Sequence, residues 1–485
     1  MSLLKNEQKA TVAPHVVFLP YCMTSHINAL VQLARLFALH GLRATIITTR
    51  CNALLFQSLI DKDRLVSGRS ICVQTLKFPS GELGLPEGIE NVASVPTVEV
   101  ASKVHYGLVN LLQKPLEQMI RQLNPQCIVS DMLFPWTVDL AEELHIPRFS
   151  FQPTSFFGQC VRHCLREYTP HNKVESDSER FLIPGLLHEI RMKRSEIEDF
   201  FKEETYYGKL ITSIIDADIL NHGIIHNTCS ELEAGYAELY ENFRGKKCWH
   251  VGPLSLFINK LEGEGSSNDA DDYLNWLKDQ EPNSVLFVCF GSSTRFSNDQ
   301  LQEITLALKA ANCPFILVVK DQQDHHDDNN NMEMLIKNDK YFIIKGWAPQ
   351  VLILKHPAIG GFMTHCGWNS VLEGLTLGVP LITWPFFSEQ FHNSNLLEQL
   401  GLAIKVGADV WNSGFVVSSP VVSREKIELA VKRLMCDSEE SRNIRANVKL
   451  MAETLKNATE EGGSSHSQLI ELIEEIKRCA FKNST

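Results

Sequence analysis

The chain has 485 residues, too many for one ordinary hydrophobic core, which points to two domains. Its apolar share of 44% is that of a globular protein, and a net charge of −12 without a basic stripe argues against a general nucleic-acid or anionic-membrane binder. The opening MSLLKNEQKATVAP lacks the apolar run of a secretory leader, and no stretch of about eighteen apolar residues occurs, so no membrane insertion is expected. Thirteen cysteines, an odd number without framework spacing, fit a reducing cytoplasmic setting. Cys22, Cys51, Cys127, Cys289 and Cys366 read as small buried hydrophobes.

In chain order, an apolar strand over 15–21 is followed by Ile27, Leu30, Val31, Ala34 and Phe37 at helical spacing. Gly41 closes that helix, and 43–49 reads as a second buried strand. This strand–helix–strand rhythm implies parallel pairing with a right-handed crossover. It returns at 127–133 (strand), 136–144 (helix) and 147–151 (strand). The stretch 152–220 is less regular, with a loop at Ile183-Pro184-Gly185, and suits a variable pocket. Gly252-Pro253 and the linker LEGEGSSNDADD (261–272) mark a boundary.

A second alternating unit follows: 284–290 (strand), 298–311 (helix) and 315–320 (strand), then the low-complexity loop DQQDHHDDNNN (321–331). Strands at 341–346, 361–364 and 380–383 and helices at 389–400, 424–435 and about 464–477 complete it. The expected fold is α/β, with two facing Rossmann-like doubly wound domains and a cleft between them. The domains are 1–255 for an acceptor and 256–463 for a nucleotide donor, with the last helix (about 464–485) packing back on the first. Ligands collect at the carboxyl ends of strands in such sheets.

The segment 347–390 carries the most chemistry. A strand runs into His365-Cys366-Gly367 and a helix begins near Asn369. Gly367 is expected to permit a tight turn, and the new helix presents unpaired N–H groups with partial positive charge, which suits a diphosphate. His365, Asn369 and Ser370 add donors. Glu373 is placed to accept from ribose hydroxyls, and Trp347 offers a flat face to a base.

The ordered set Trp347, Ala348-Pro349-Gln350, His356-Pro357, Gly360-Gly361-Phe362, His365-Cys366-Gly367-Trp368-Asn369-Ser370, Glu373, Gly374, Gly378, Pro380, Trp384-Pro385 and Glu389-Gln390 resembles the signature box of plant secondary-product UDP-glycosyltransferases, whose fold is the GT-B type. The resemblance implies that Trp347 stacks on uracil with Ala348 and Gln350 nearby. His365, Gly367, Asn369 and Ser370 would hold the diphosphate, Glu373 the ribose, and Glu389 and Gln390 the sugar hydroxyls. Trp368, where users of glucuronic acid tend to carry arginine, favours a neutral hexose. Gln390 favours glucose over galactose. The turn Gly291-Ser292-Ser293 matches the family's second phosphate-facing turn and adds Ser292 and Ser293.

Transfer to an alcohol needs a base, and a histidine held by a carboxylate suits the task. His26 lies where the first strand yields to its helix, and Asp131 ends another apolar strand of the same half. The pair matches the family's catalytic His–Asp pair, which implies an inverting single displacement. Here Ser25-His26 is followed by Ala29, where relatives often read Gly-His with a proline three residues on. No cofactor and no metal are expected. Asp216-Ala217-Asp218, Asp269-Ala270-Asp271 and His325-His326 are read as structural or solvated.

Phe78-Pro79-Ser80, the run 84–90, Ser130-Asp131-Met132, Phe134-Pro135-Trp136-Thr137, the run 248–253 and Asp409-Val410-Trp411-Asn412 are similar to group D of the family, most of all to enzymes acting on steroidal alkaloids, steroidal sapogenins and triterpenoids. The partners implied are UDP-glucose, or UDP-galactose, and a small lipophilic alcohol glycosylated at a 3-hydroxyl, on a monomeric enzyme. Flavonoid or phenolic acceptors are the alternative. Phe156, Phe157, Phe200 and Phe201 read first as core packing, with pocket walls as their other reading. A UDP-sugar sensor is the non-enzymatic reading. A nicotinamide dehydrogenase is excluded because Tyr21-Cys22-Met23-Thr24-Ser25-His26 offers no Gly-x-Gly-x-x-Gly turn.

Overall fold

The computed structural model describes residues 13–95, 97–262, 272–320, 337–338, 340–412 and 420–482. Most of the 261–272 linker, with Asp269-Ala270-Asp271, and the 321–331 loop with His325-His326, lie outside the described residues.

Sixteen strands are labelled in chain order. The first sheet uses β1 (His15–Leu19), β2 (Arg43–Thr49), β3 (Ile71–Leu76), β4 (Cys127–Asp131) and β5 (Arg148–Gln152). Strands β6 (Arg180–Leu182) and β7 (Arg191–Lys193) form a separate hairpin, and β8 (Gly223–His226) and β9 (Cys248–His250) complete the sheet. Its order is β3-β2-β1-β4-β5-β8-β9, all parallel. The second sheet holds β10 (Val285–Cys289), β11 (Phe315–Val319), β12 (Lys337–Asn338), β13 (Tyr341–Lys345), β14 (Ile359–Thr364), β15 (Leu381–Thr383) and β16 (Ala403–Lys405). Its order is β12-β13-β11-β10-β14-β15-β16, parallel except for β12. Both sheets reverse direction of growth beside their first strand, as doubly wound sheets do.

Alternation along the strands of the first sheet feeds two cores. Val16, Phe18, Ala44, Ile46, Cys127 and Val129 face the Thr24–Leu39 helix, while Val17, Leu19, Ile47 and Ile128 face the Val98–Tyr106 and Gln113–Leu123 helices. Leu469, Leu472, Ile473 and Ile476 of the final Ser464–Lys482 helix share the former core. The Leu254–Glu262 helix does so too, through Leu254, Phe257 and Ile258, so the first unit continues past residue 255. The third core runs through both halves, joining Phe156, Phe157, Val161 and Leu165 to residues of the second sheet.

The irregular stretch 152–220 holds two substantial helices, Phe156–Tyr168 and Tyr206–Leu220. The first packs against the Gln390–Gln399 helix of the donor half, with Ser155 Oγ 2.7 Å from Asn393 Oδ1.

Candidate active site

His26 lies in the first turn of the Thr24–Leu39 helix, immediately past the carboxyl end of β1. Asp131 is the last residue of the neighbouring β4 and is fully buried. Adjacent parallel strands therefore deliver the two side chains to one point, where His26 Nδ1 stands 2.7 Å from Asp131 Oδ2. The other oxygen of Asp131 accepts the backbone N–H of Leu133 at 3.0 Å, which fixes the carboxylate. An ionised carboxylate only accepts, so Nδ1 carries the proton and Nε2 keeps its lone pair. Burial alone would lower the imidazole's pKa. The Asp131 charge and hydrogen bond, helped by the Glu389 carboxylate, outweigh it and hold the value above the ordinary 6.5.

An aromatic wall lies beside this pair. The Tyr21 ring lies 5.9 Å from that of His26, edge-on, and 5.9 Å from Phe134. Tyr21 Oη is 2.8 Å from His105 Nδ1, and His105 in turn packs against Tyr206. The four phenylalanines weighed as core or wall divide between the two readings. Phe156 and Phe157 are fully buried, packed on His226, Tyr240 and Tyr236. Phe200 and Phe201 do line a cavity of about 370 Å³, with Arg162, Ile211 and Ile215.

In the donor half, β14 ends at Thr364 and the Trp368–Thr376 helix begins three residues beyond His365. The left-handed residue of this turn is Cys366 (φ 65°); Gly367 has an ordinary φ of −59°. Gly367 is needed for a different reason from the one expected: a Cβ there would come within 2.5 Å of His365 Nε2. Gly291, past β10, would place a Cβ 2.6 Å from the same ring. His365 is thus clamped between two glycines. Burial and the Lys320 charge push its pKa down to about 4, so the ring stays neutral and offers an N–H without a positive charge.

Gln350, Ser370 and Glu373 form one cluster. Gln350 Nε2 donates to Ser370 Oγ at 3.1 Å and to Glu373 Oε2 at 2.6 Å. Burial pushes the Glu373 carboxyl up to about 7, against the lowering effect of the Gln350 bond. Beside them Ala348 is buried, while the Trp347 indole is 79% exposed, an open flat face at the rim. The Trp368 side chain is not presented to the cleft: it is 2% exposed and its Nε1–H donates to the Asn227 carbonyl of the other half at 3.0 Å. Its neutral bulk ties the halves together, and only its backbone N–H belongs to the helix start.

Glu389 and Gln390 stand at the entry of the Gln390–Gln399 helix, both buried. Gln390 Oε1 accepts the N–H groups of Phe386 (2.9 Å) and Phe387 (3.2 Å), leaving its amide N–H₂ to donate elsewhere. Ser388 Oγ bonds Glu389 Oε2 at 2.5 Å, leaving Oε1 as an acceptor. Together they present one donor and one acceptor, the pair a sugar's hydroxyls require.

Two cations escaped the sequence reading. Lys320, just past β11, bonds the carbonyl of Ser292 in the Gly291-Ser292-Ser293 turn. Burial and the neighbouring Arg295 charge bring its pKa down to about 8, and burial also lowers that of Arg295. Neither forms an ion pair among the described residues. Positive charge is therefore concentrated beside His365 and the helix start, where a diphosphate would sit. The Asp216-Ala217-Asp218 run lies on the Tyr206–Leu220 helix, with Asp218 buried and accepting from Gln152 (2.8 Å) and Asn221 (2.9 Å).

Two Rossmann-like sheets, one ending in a hydrogen-bonded His–Asp pair and the other in a helix start flanked by cations, define a fold of the GT-B class. Residues 249–445 match the family described as UDP-glucoronosyl and UDP-glucosyl transferase. Solanidine UDP-glucose glucosyltransferase 1 of Solanum tuberosum is 46% identical over 473 residues, 96% of this chain and 97% of the relative. Nuatigenin 3-beta-glucosyltransferase of Solanum aculeatissimum is 47% identical over 477 residues, again 96% and 97%. The crystal structure of a Glycyrrhiza uralensis protein complexed with glycyrrhetinic acid 3-O-monoglucuronide has a TM-score of 0.91 at 37% identity, covering 97% of both chains. The chain belongs to the UDP-glucuronosyl and UDP-glucosyl transferase family and is a UDP-glycosyltransferase. None of its described helices is long and apolar enough to cross a membrane.

Proposed function

We propose that this enzyme transfers glucose from UDP-glucose to a hydroxyl, the 3-hydroxyl, of a steroidal sapogenin, steroidal alkaloid or triterpenoid, working as a cytoplasmic monomer without a metal. The observation that carries the reaction type is the His26–Asp131 pair at 2.7 Å in one half, across from the donor cluster of the other. The acceptor class rests on the names of the two Solanum relatives, which act on solanidine and nuatigenin.

In this scheme uracil stacks on Trp347, Glu373 takes the ribose hydroxyls, and His365, Asn369, Ser370 and the Ser292-Ser293 turn hold the diphosphate. Glu389 Oε1 and the Gln390 amide hold the hexose. His26 Nε2 removes the acceptor's proton as its oxygen bonds to the anomeric carbon. The bond from that carbon to the diphosphate oxygen breaks on the opposite face, so the configuration inverts and UDP leaves with the electron pair. N–H groups of the Trp368–Thr376 helix and the neutral His365 stabilise the charge that develops on the leaving group.

An acceptor-by-donor panel read by mass spectrometry tests this, with the anomeric proton coupling of the product giving the configuration. UDP-glucose with a 3-hydroxysteroid should give one hexose increment and a β-linked product, unaffected by a chelator. Turnover confined to flavonols, or preference for UDP-galactose, would replace the acceptor or sugar assignment. UDP-glucose binding with no product from any acceptor would favour a sensor.

A further inference from the structure

Arg162 belongs to the acceptor half, on the Phe156–Tyr168 helix, and its side chain is 5% exposed. Its Nε–H donates to Glu198 Oε1 at 2.8 Å, and Glu198 is fully buried. Its Nη2 reaches across to the donor half, 3.4 Å from Ser388 Oγ and 3.9 Å from Glu389 Oε2. One guanidinium therefore stands between two buried carboxylates, one from each half. Burial would lower its pKa, but the two carboxylates raise it, so it stays charged. Ser388 holds a left-handed φ of 52°, a conformation uncommon for a residue with a Cβ, and from it bonds the same Glu389 oxygen that faces Arg162. The helix also approaches Glu389 closely at Gly158, where a Cβ would come within 3.4 Å of Glu389 Cβ. His392 completes the far side, 3.4 Å from the second Glu198 oxygen, with its pKa lowered by burial.

We infer that Arg162 is a positioning residue for the hexose subsite: by engaging Oε2 of Glu389 it aims Oε1 at the transferring sugar, so the acceptor half completes the donor's sugar site. This rests on the assignment of Glu389 to the sugar hydroxyls made above. Arg162 touches no reacting atom; it acts through Glu389. Without its cation the Glu389 carboxylate would swing away from that of Glu198, which costs the sugar an acceptor. Lysine is a poor replacement, because one ammonium cannot fork between two carboxylates as a guanidinium does.

The test compares E389A, R162Q, R162K and the double variant R162Q/E389A, each checked for folding by thermal unfolding. The readouts are KM for UDP-glucose and the calorimetric Kd of UDP, which lacks the sugar. E389A should raise KM roughly tenfold while leaving the UDP Kd within about twofold. R162Q should show the same split, R162K a smaller one, and the double variant should be no worse than E389A alone. An unchanged KM in R162Q, parallel losses of KM and UDP Kd, or effects that multiply in the double variant would overturn the inference. Should R162Q fail to fold, R162K decides, with a split of roughly threefold expected and none contradicting it. An E389A variant without the split would instead remove the sugar assignment on which the inference stands.

Discussion

Asn369 Nδ2 donates a 2.8 Å hydrogen bond to the carbonyl of Ser25, the residue immediately before His26. The first turn of the Trp368–Thr376 helix, the proposed donor site, thus touches the backbone beside His26, the proposed base. Asn227 adds to the contact, with Nδ2 3.4 Å from Asn369 Oδ1 and its carbonyl taking the Trp368 indole. Binding and chemistry share a seam. Asn369→Ala should therefore lower kcat and weaken UDP binding together, each roughly fivefold for the loss of one hydrogen bond of about 1 kcal/mol. Steady-state kinetics beside calorimetry checks this; a variant with weaker UDP binding and an unaltered kcat would show that the bond does not position the base.

Glu373 supplies a second test. Burial pushes its carboxyl up to about 7 in the free protein, so part of it is protonated at pH 7. Ribose hydroxyls donate, so they favour the ionised form, and UDP binding at that pH should release a fraction of a proton. Calorimetry in buffers of different ionisation enthalpy measures the number directly. Glu373→Gln should abolish it; release that persists in this variant would place the titrating group elsewhere.

Lys320 and Arg295 offer the third. If their charge faces the diphosphate, Lys320→Gln should weaken UDP binding roughly fivefold and leave uridine binding almost unchanged. Equal losses for both ligands would mean that the lysine merely supports the turn through its bond to the Ser292 carbonyl.

The pH profile of kcat/KM reports on the dyad. Only neutral His26 can accept a proton, so activity falls as pH drops through its pKa. That pKa is raised above 6.5 by Asp131, and the acidic limb should lie correspondingly high. Asp131→Asn removes the opposing charge, burial then dominates, and the limb should move below 6.5 while the rate falls roughly 10²- to 10⁴-fold. A limb that stays put would assign it to another group.

The central strands of both sheets were readable from sequence because they are short apolar runs closed by turn residues, whereas β3, β8, β9, β12 and β16, at or beside the sheet edges, were not. Asp131 and His26 could be paired because each ends or follows such a run. The Phe156–Tyr168 helix leaves a trace of its own kind. Gln159, Arg162, His163, Arg166 and Glu167 recur at helical spacing opposite Phe157, Cys160, Val161, Cys164 and Leu165, and Ser155 caps it, although Gln159 and Arg162 of that polar stripe are themselves buried. The Glu439–Ala458 helix was within reach, since Ser438 caps it and Ile444, Val448 and Leu455 recur at helical spacing. Arg162 and Glu389 lie more than two hundred residues apart, as do Ser25 and Asn369, and no local pattern announces contacts of that span. Gly367 shows a subtler limit. A glycine after a strand reads as a tight turn, but here the close packing of the His365 ring, not backbone curvature, excludes a side chain.

The division of labour between the halves is tested most directly by His26→Ala, measuring kcat for UDP-glucose with a saturating acceptor alongside the Kd of UDP. Loss of the base should lower kcat roughly 10²- to 10⁴-fold and leave the UDP Kd within about twofold. Near-normal turnover, or a collapse of UDP affinity to match the lost rate, would contradict a base in the first half serving a donor held by the second.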